Sequence, residues 1–121
     1  MDHWLAIWRE LRTNLANLPR CPKHPTYPHV RSMVQKVIND ITSVDEGGIR
    51  VQSHRTSNDR YIEESKFKVW LDHLIANGSA SLCPGDPNNP DPWNSRIVGM
   101  MLAEGLPNRI RVDNSNDLQL R

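Results

Sequence analysis

At 121 residues the chain has room for one small domain and little more, and a formal charge of +1 excludes a polycation that holds polyanions by bulk charge alone. Hydrophobic residues make up only 37% and four of the seven aromatics are Trp, so the core is limited in size. Two distant cysteines, Cys21 and Cys83, exclude a disulfide framework and imply a reduced, cytoplasmic protein.

Trp4, Trp8, Leu11, Leu15 and Leu18 recur at helical spacing and predict an amphipathic helix over residues 1–18. Pro19, Pro22, Pro25 and Pro28 follow and predict an extended linker over 19–28. A seam helix on such a linker docks on its own domain or on a partner, and Trp4, Trp8, Leu11 and Leu15 are the residues that would do so. Nothing at the N-terminus reads as a signal peptide, and no apolar run reaches membrane-spanning length.

Val30, Met33, Val34, Val37, Ile38 and Ile41 form a helical stripe that predicts a second helix, ended by the turn at Asp45-Glu46-Gly47-Gly48. Ile49 and Val51 alternate with Arg50 and Gln52 as a strand, and Arg55–Asp59 is a polar turn. Phe67, Trp70, Leu71, Leu74 and Ile75 predict a helix over Glu63–Asn77, with Val69 off the stripe and Gly78 as its left-handed cap. A short strand at Ser79–Leu82 leads into a loop rigidified by Pro84, Pro87, Pro90 and Pro92, in which Trp93 would staple the loop to the domain. Asn94–Glu104 reads as a helix capped at Gly105 and stopped at Pro107. Arg109–Val112 and Leu118–Leu120 then form a hairpin with Ile110, Val112, Leu118 and Leu120 facing inward.

The run from Ile49 to Leu82, then Ser95-Arg96 through Leu106-Pro107 and a short hairpin, resembles a winged-helix-like module of bacterial restriction-type and defence proteins, over about residues 26–121. The fold this implies is α+β: a winged-helix-like domain at 29–121 with a C-terminal β-hairpin, preceded by the N-terminal helix and the linker. The proline-rich loop departs from that module, whose helices are joined by a few residues. The resemblance implies a non-catalytic unit that binds nucleic acid, duplex DNA in particular, in a restriction, defence or mobile-element setting.

Arginine outnumbers lysine eleven to four, which suits bidentate contacts to phosphate or guanine. Arg109, Arg111 and Arg121 share one face of the hairpin, where alternate strand positions lie about 7 Å apart, comparable to successive phosphates. Asn94, Ser95 and Arg96 open the last helix, with Arg96 placed to read a base edge. Arg50, His54, Arg55 and Arg60 form a second basic group around the first turn. The alternative is a protein-interaction adaptor that binds a larger effector, or a second copy, through the tryptophan helix and the loop. Asp113 and Asp117 stand near the hairpin arginines and offset their charge.

Two constellations are weaker. Glu64-Ser65-Lys66, with Asp45 or Asp59 upstream, matches part of a metal-dependent nuclease motif, but the triplet opens a helix, where positions i and i+2 point about 200° apart. Cys21-x2-His24-x4-His29 offers metal-ligand side chains, with Cys83 or His54 to complete a set, yet presents only one tight ligand pair. His73 has no nucleophile beside it and reads as a surface histidine. The expectation is therefore no metal, no cofactor and no catalytic residue.

Overall fold

The structure is a computed structural model that describes residues 3–32 and 36–121. Among these it is a mixed α+β protein with three helices, a four-stranded antiparallel sheet and a smaller three-stranded sheet. Helix α1 spans Trp4–Ala16 and buries Trp4, Ile7, Trp8, Leu11 and Leu15. Trp4 stacks on Trp8 at 5.8 Å between ring centroids, and Trp8 meets Phe67 at 5.4 Å. Both indoles find acceptors: Trp4 Nε1 donates to Glu64 Oε1 (2.6 Å) and Trp8 Nε1 to the Glu46 carbonyl (2.9 Å). The helix is thus part of the core, and its seam is covered within the chain.

The stretch 19–28 is a closed loop and not an extended linker. Cys21 N–H donates to the Tyr27 carbonyl, Tyr27 N–H to that of His24, and His29 N–H to that of Pro19. The prolines lack amide donors but keep their carbonyls, and the loop uses those of Pro19 and Pro28, the latter accepting from Ile41 N–H.

Strands β1 (His29–Arg31), β2 (Ile38–Val44), β3 (Gly48–Ser53) and β4 (Asp59–Glu63) form an antiparallel meander in that order. The helix expected from Val30 to Ile41 is therefore corrected: Val30, Ile38 and Ile41 are strand residues, and Met33 and Val34 lie outside the described residues. Between the strands, Lys36 takes a left-handed φ of 56°, and Ser32 closes the turn by exchanging bonds with Val37. The region is rich in β-branched residues, which favour a pleated surface over a helix. Strand β4 was also missed; Asp59, Arg60 and Tyr61 are exposed, and only Ile62 is buried.

Helix α2 spans Glu64–Asn77 and ends on Gly78, whose φ of 79° supplies the left-handed cap. Strand β5 (Ser79–Ala80), helix α3 (Ser95–Gly105), β6 (Ile110–Val112) and β7 (Leu118–Leu120) complete the chain, with the second sheet ordered β5-β7-β6. Val69 is exposed, as its position off the stripe implies; Ile75 at the end of α2 and Val112 at the hairpin turn are also exposed, against expectation.

One hydrophobic core takes residues from all three helices and both sheets, including Leu11, Ile49, Phe67, Trp70, Met101 and Ile110. Helices α1 and α3 pack closely at Gly105, where a Cβ would collide with Leu11, and Asn14 Nδ2 donates to the Gly105 carbonyl. Among the described residues no helix is long and apolar enough to cross a membrane.

Candidate nucleic-acid interface

A cleft of about 520 Å³ opens where the β3–β4 turn faces the proline-rich loop and the start of α3. Arg55 and Arg60 line it from the β3–β4 side, and Trp93, Asn94, Ser95 and Arg96 from the loop and helix. Among the described residues no carboxylate lines it. Trp93 is 89% exposed, so it does not staple the loop; it follows Pro90 and Pro92 and leaves a large aromatic ring in solvent.

Strand geometry explains how Arg60 reaches the cleft. It pairs in register with Val51 and shares a face with the buried Ile62, so it extends that face past the edge of the core. Its guanidinium donates to Asn94 Oδ1, and Asn94 Nδ2 donates to Asp91 (2.8 Å). Asn94 is buried and its carboxamide is engaged at both ends; Ser95 is buried with its hydroxyl on the Pro92 carbonyl. These two residues therefore brace the wall and are not positioned as direct contacts. Arg96 is exposed, on the first turn of α3, which carries no acidic residue and presents the positive end of the helix dipole to the cleft.

The hairpin arginines do not line this cleft. Arg109 forms an ion pair with Glu10 (3.0 Å), and Arg121 Nε donates to the Pro107 carbonyl (2.6 Å). Arg111 is exposed beside Asp113, whose carboxyl is held below its ordinary value by the Asp117 amide, then by the Gln119 side chain, and so keeps its negative charge. Arg50 lies elsewhere again, paired with Asp59 (3.1 Å) and stacked over Tyr61. Of the nine candidate contact residues, five line one cleft and four do not.

Trp4, Trp8, Leu11 and Leu15 are buried and offer no surface to a partner. The acids of the nuclease motif are engaged separately: Glu64 by Trp4, Asp59 by Arg50, and Asp45 by the Gly47 and Gly48 amides and the Tyr61 hydroxyl. His73 bonds Asn88 (2.6 Å) and so ties α2 to the proline-rich loop.

The fold also gathers Cys21, His24, Asp40 and His54, whose ligand atoms all lie within 4.8 Å of one another. His29 is not among them; its Nδ1 faces the Pro19 carbonyl, and Cys83 is exposed in the other loop. Burial acts to raise the Asp40 carboxyl, but hydrogen bonds from Cys21, His24 and His54 outweigh it and hold the group below its ordinary value. Asp40 lies between Ile38 and Ile41 in the stretch whose spacing predicts a helix, and only the strand that forms there turns it toward Cys21, His24 and His54.

No known family model, curated protein or solved structure matches this chain.

Proposed function

We propose that this chain is a cytoplasmic, non-catalytic nucleic-acid-binding module that takes duplex DNA at the cleft between the β3–β4 turn and the N-terminus of α3. The observation that carries the reading is the lining of that cleft: three arginines and a solvent-exposed tryptophan, with no carboxylate among them. Guanidinium groups pair with phosphate oxygens in a planar, bidentate way and an exposed indole packs against sugars or an unpaired base, so the two together suit a nucleic acid, and the arginines carry the duplex reading.

The order of elements supports the same reading. Helix α2, strand β5, helix α3 and the β6–β7 hairpin, with β5 paired to β7, are compatible with a winged-helix reading in which the proline-rich loop stands in for one helix. Helix α3 then takes the place of the recognition helix, whose N-terminal residues meet the bases, and Arg96 stands there. The restriction, defence or mobile-element setting rests on the sequence resemblance alone.

The test is fluorescence anisotropy of labelled duplex DNA, single-stranded DNA and RNA at low salt, followed by intrinsic tryptophan emission. Duplex DNA should bind best and quench the emission, and Trp93→Phe should remove most of that quenching because Trp4, Trp8 and Trp70 are buried. Absence of binding to all three would refute the reading. Under that outcome the exposed Trp93 and its prolines would be the surface of a protein-interaction adaptor.

A further inference from the structure

We propose that Cys21, His24, Asp40 and His54 form a structural zinc site that pins the proline loop of residues 19–28 to the four-stranded sheet. The proposal stands apart from the nucleic-acid reading and rests on the arrangement of these four side chains.

Three segments far apart in sequence supply the ligands. Cys21 and His24 come from the closed loop, Asp40 from β2, and His54 from the residue that follows β3. The loop turns through the Cys21–Tyr27 and Tyr27–His24 backbone bonds, which bring residues 21 and 24 to the sheet side by side. His54 is fixed by its own amide, which donates to the Ile38 carbonyl. Cys21 Sγ lies 3.7 Å from His54 Nε2, and Asp40 Oδ2 lies 2.6 Å from His24 Nδ1 and 2.9 Å from His54 Nε2. A tetrahedral zinc with bonds of about 2.0–2.3 Å spaces its ligand atoms roughly 3.3–3.8 Å apart. The sulfur–nitrogen pair already stands at that spacing. The two carboxylate contacts need to open by less than about 1 Å and the widest pairs, within 4.8 Å, to close by about the same, both within the reach of small side-chain rotations.

The surroundings favour an ion over a plain hydrogen-bond network. The Asp40 side chain is 1% exposed, and its second oxygen, Oδ1, is buried without a hydrogen-bond partner. A buried carboxylate oxygen is ordinarily satisfied, and an ion with a second unit of positive charge would supply what hydrogen bonds do not. Cys21 is buried as well, so its thiol is not there for solvent chemistry.

The donor set selects the metal. One sulfur, two imidazole nitrogens and one carboxylate oxygen suit zinc, whereas calcium and magnesium take shells dominated by oxygen. Four protein ligands fill a tetrahedron, which leaves no open position for substrate and marks the site as structural. Binding converts the Cys21 thiol to thiolate and releases that proton to solvent. With two residues from the loop and two from the sheet, the ion would cross-link a stretch whose prolines limit its backbone bonding.

The experiment uses the full chain purified without chelator, with metal content measured by elemental analysis and cobalt(II) uptake followed by absorption. The expected result is about one zinc per chain, and in the cobalt form both a thiolate-to-metal charge-transfer band and the visible bands of a tetrahedral centre. Cys21→Ser, Asp40→Asn and His54→Gln should each weaken cobalt affinity by about 100-fold or more, with Cys21→Ser also losing the charge-transfer band. His29→Gln should keep full occupancy, since His29 faces a backbone carbonyl outside the cluster. If the ligand variants unfold, the wild-type cobalt spectrum still decides: an octahedral spectrum without the thiolate band, or no uptake at all, overturns the proposal. Equal cobalt affinity in wild type and folded His54→Gln would overturn it too.

Discussion

The cleft and the terminal hairpin each carry three arginines, and the two groups differ in the carboxylates that stand beside them. Arg109 faces Glu10 and Arg111 the anionic turn of Asp113, so two of the three hairpin charges stand beside carboxylates, while Arg121 bonds a backbone carbonyl. Around Arg55, Arg60 and Arg96 the lining holds no carboxylate, and Trp93 stands in solvent beside them. Regular spacing along a strand, which makes the hairpin attractive in the sequence, is thus a poor guide to a contact surface. A carboxylate beside a cation offsets the charge that the cation lends to a ligand.

The tryptophans sharpen this contrast most strongly. Trp8 is 2% exposed and packed between Trp4 and Phe67, so Trp8→Ala should cost about 3–5 kcal/mol of stability in a denaturant titration. A loss below about 1 kcal/mol would show that α1 is not integral to the core. Trp93→Ala should leave stability within about 0.5 kcal/mol of wild type yet cost roughly 1–3 kcal/mol in nucleic-acid affinity. Unchanged affinity would remove the aromatic half of the cleft. The smallest effect belongs to the hairpin: Arg109→Ala breaks a half-exposed ion pair with Glu10 and should cost only about 0.2–1 kcal/mol of stability, with DNA affinity unmoved. A marked loss of affinity in that variant would return the hairpin to the contact surface.

Much of the second half of the chain was legible in the sequence. Helices α2 and α3, the Gly78 cap and the β6–β7 hairpin lie within a residue or two of where periodicity and turn chemistry place them. The first half was harder. Val30, Ile38 and Ile41 fit helical spacing, but their β-branched character and the left-handed Lys36 belong to a hairpin. Strand β4 carries one buried residue and so lacked any alternation to detect.

The candidate site follows the same division. Arg55, Arg60 and Arg96 could be named one by one, but only the fold brings residues 55, 60 and 96 to one cleft and leaves residues 50, 109, 111 and 121 outside it. Asn94 and Ser95 were named as contacts and prove to be braces, since helix-start residues can turn inward as readily as outward. The Cys21–His24 spacing was visible and His54 was among its candidate partners. Asp40 could not be added while its segment was read as a helix with a polar side.

The central claim is that the cleft, and not the hairpin, meets the phosphate backbone, and a salt titration of duplex DNA affinity tests it most directly. Wild type is compared with two matched double variants, Arg55→Ala/Arg96→Ala in the cleft and Arg109→Ala/Arg111→Ala in the hairpin. Each lost phosphate contact lowers the slope of log K against log salt by about 0.9, so the cleft variant should lose nearly two units and the hairpin variant less than about one. A slope that falls in the hairpin variant and holds in the cleft variant would contradict the account.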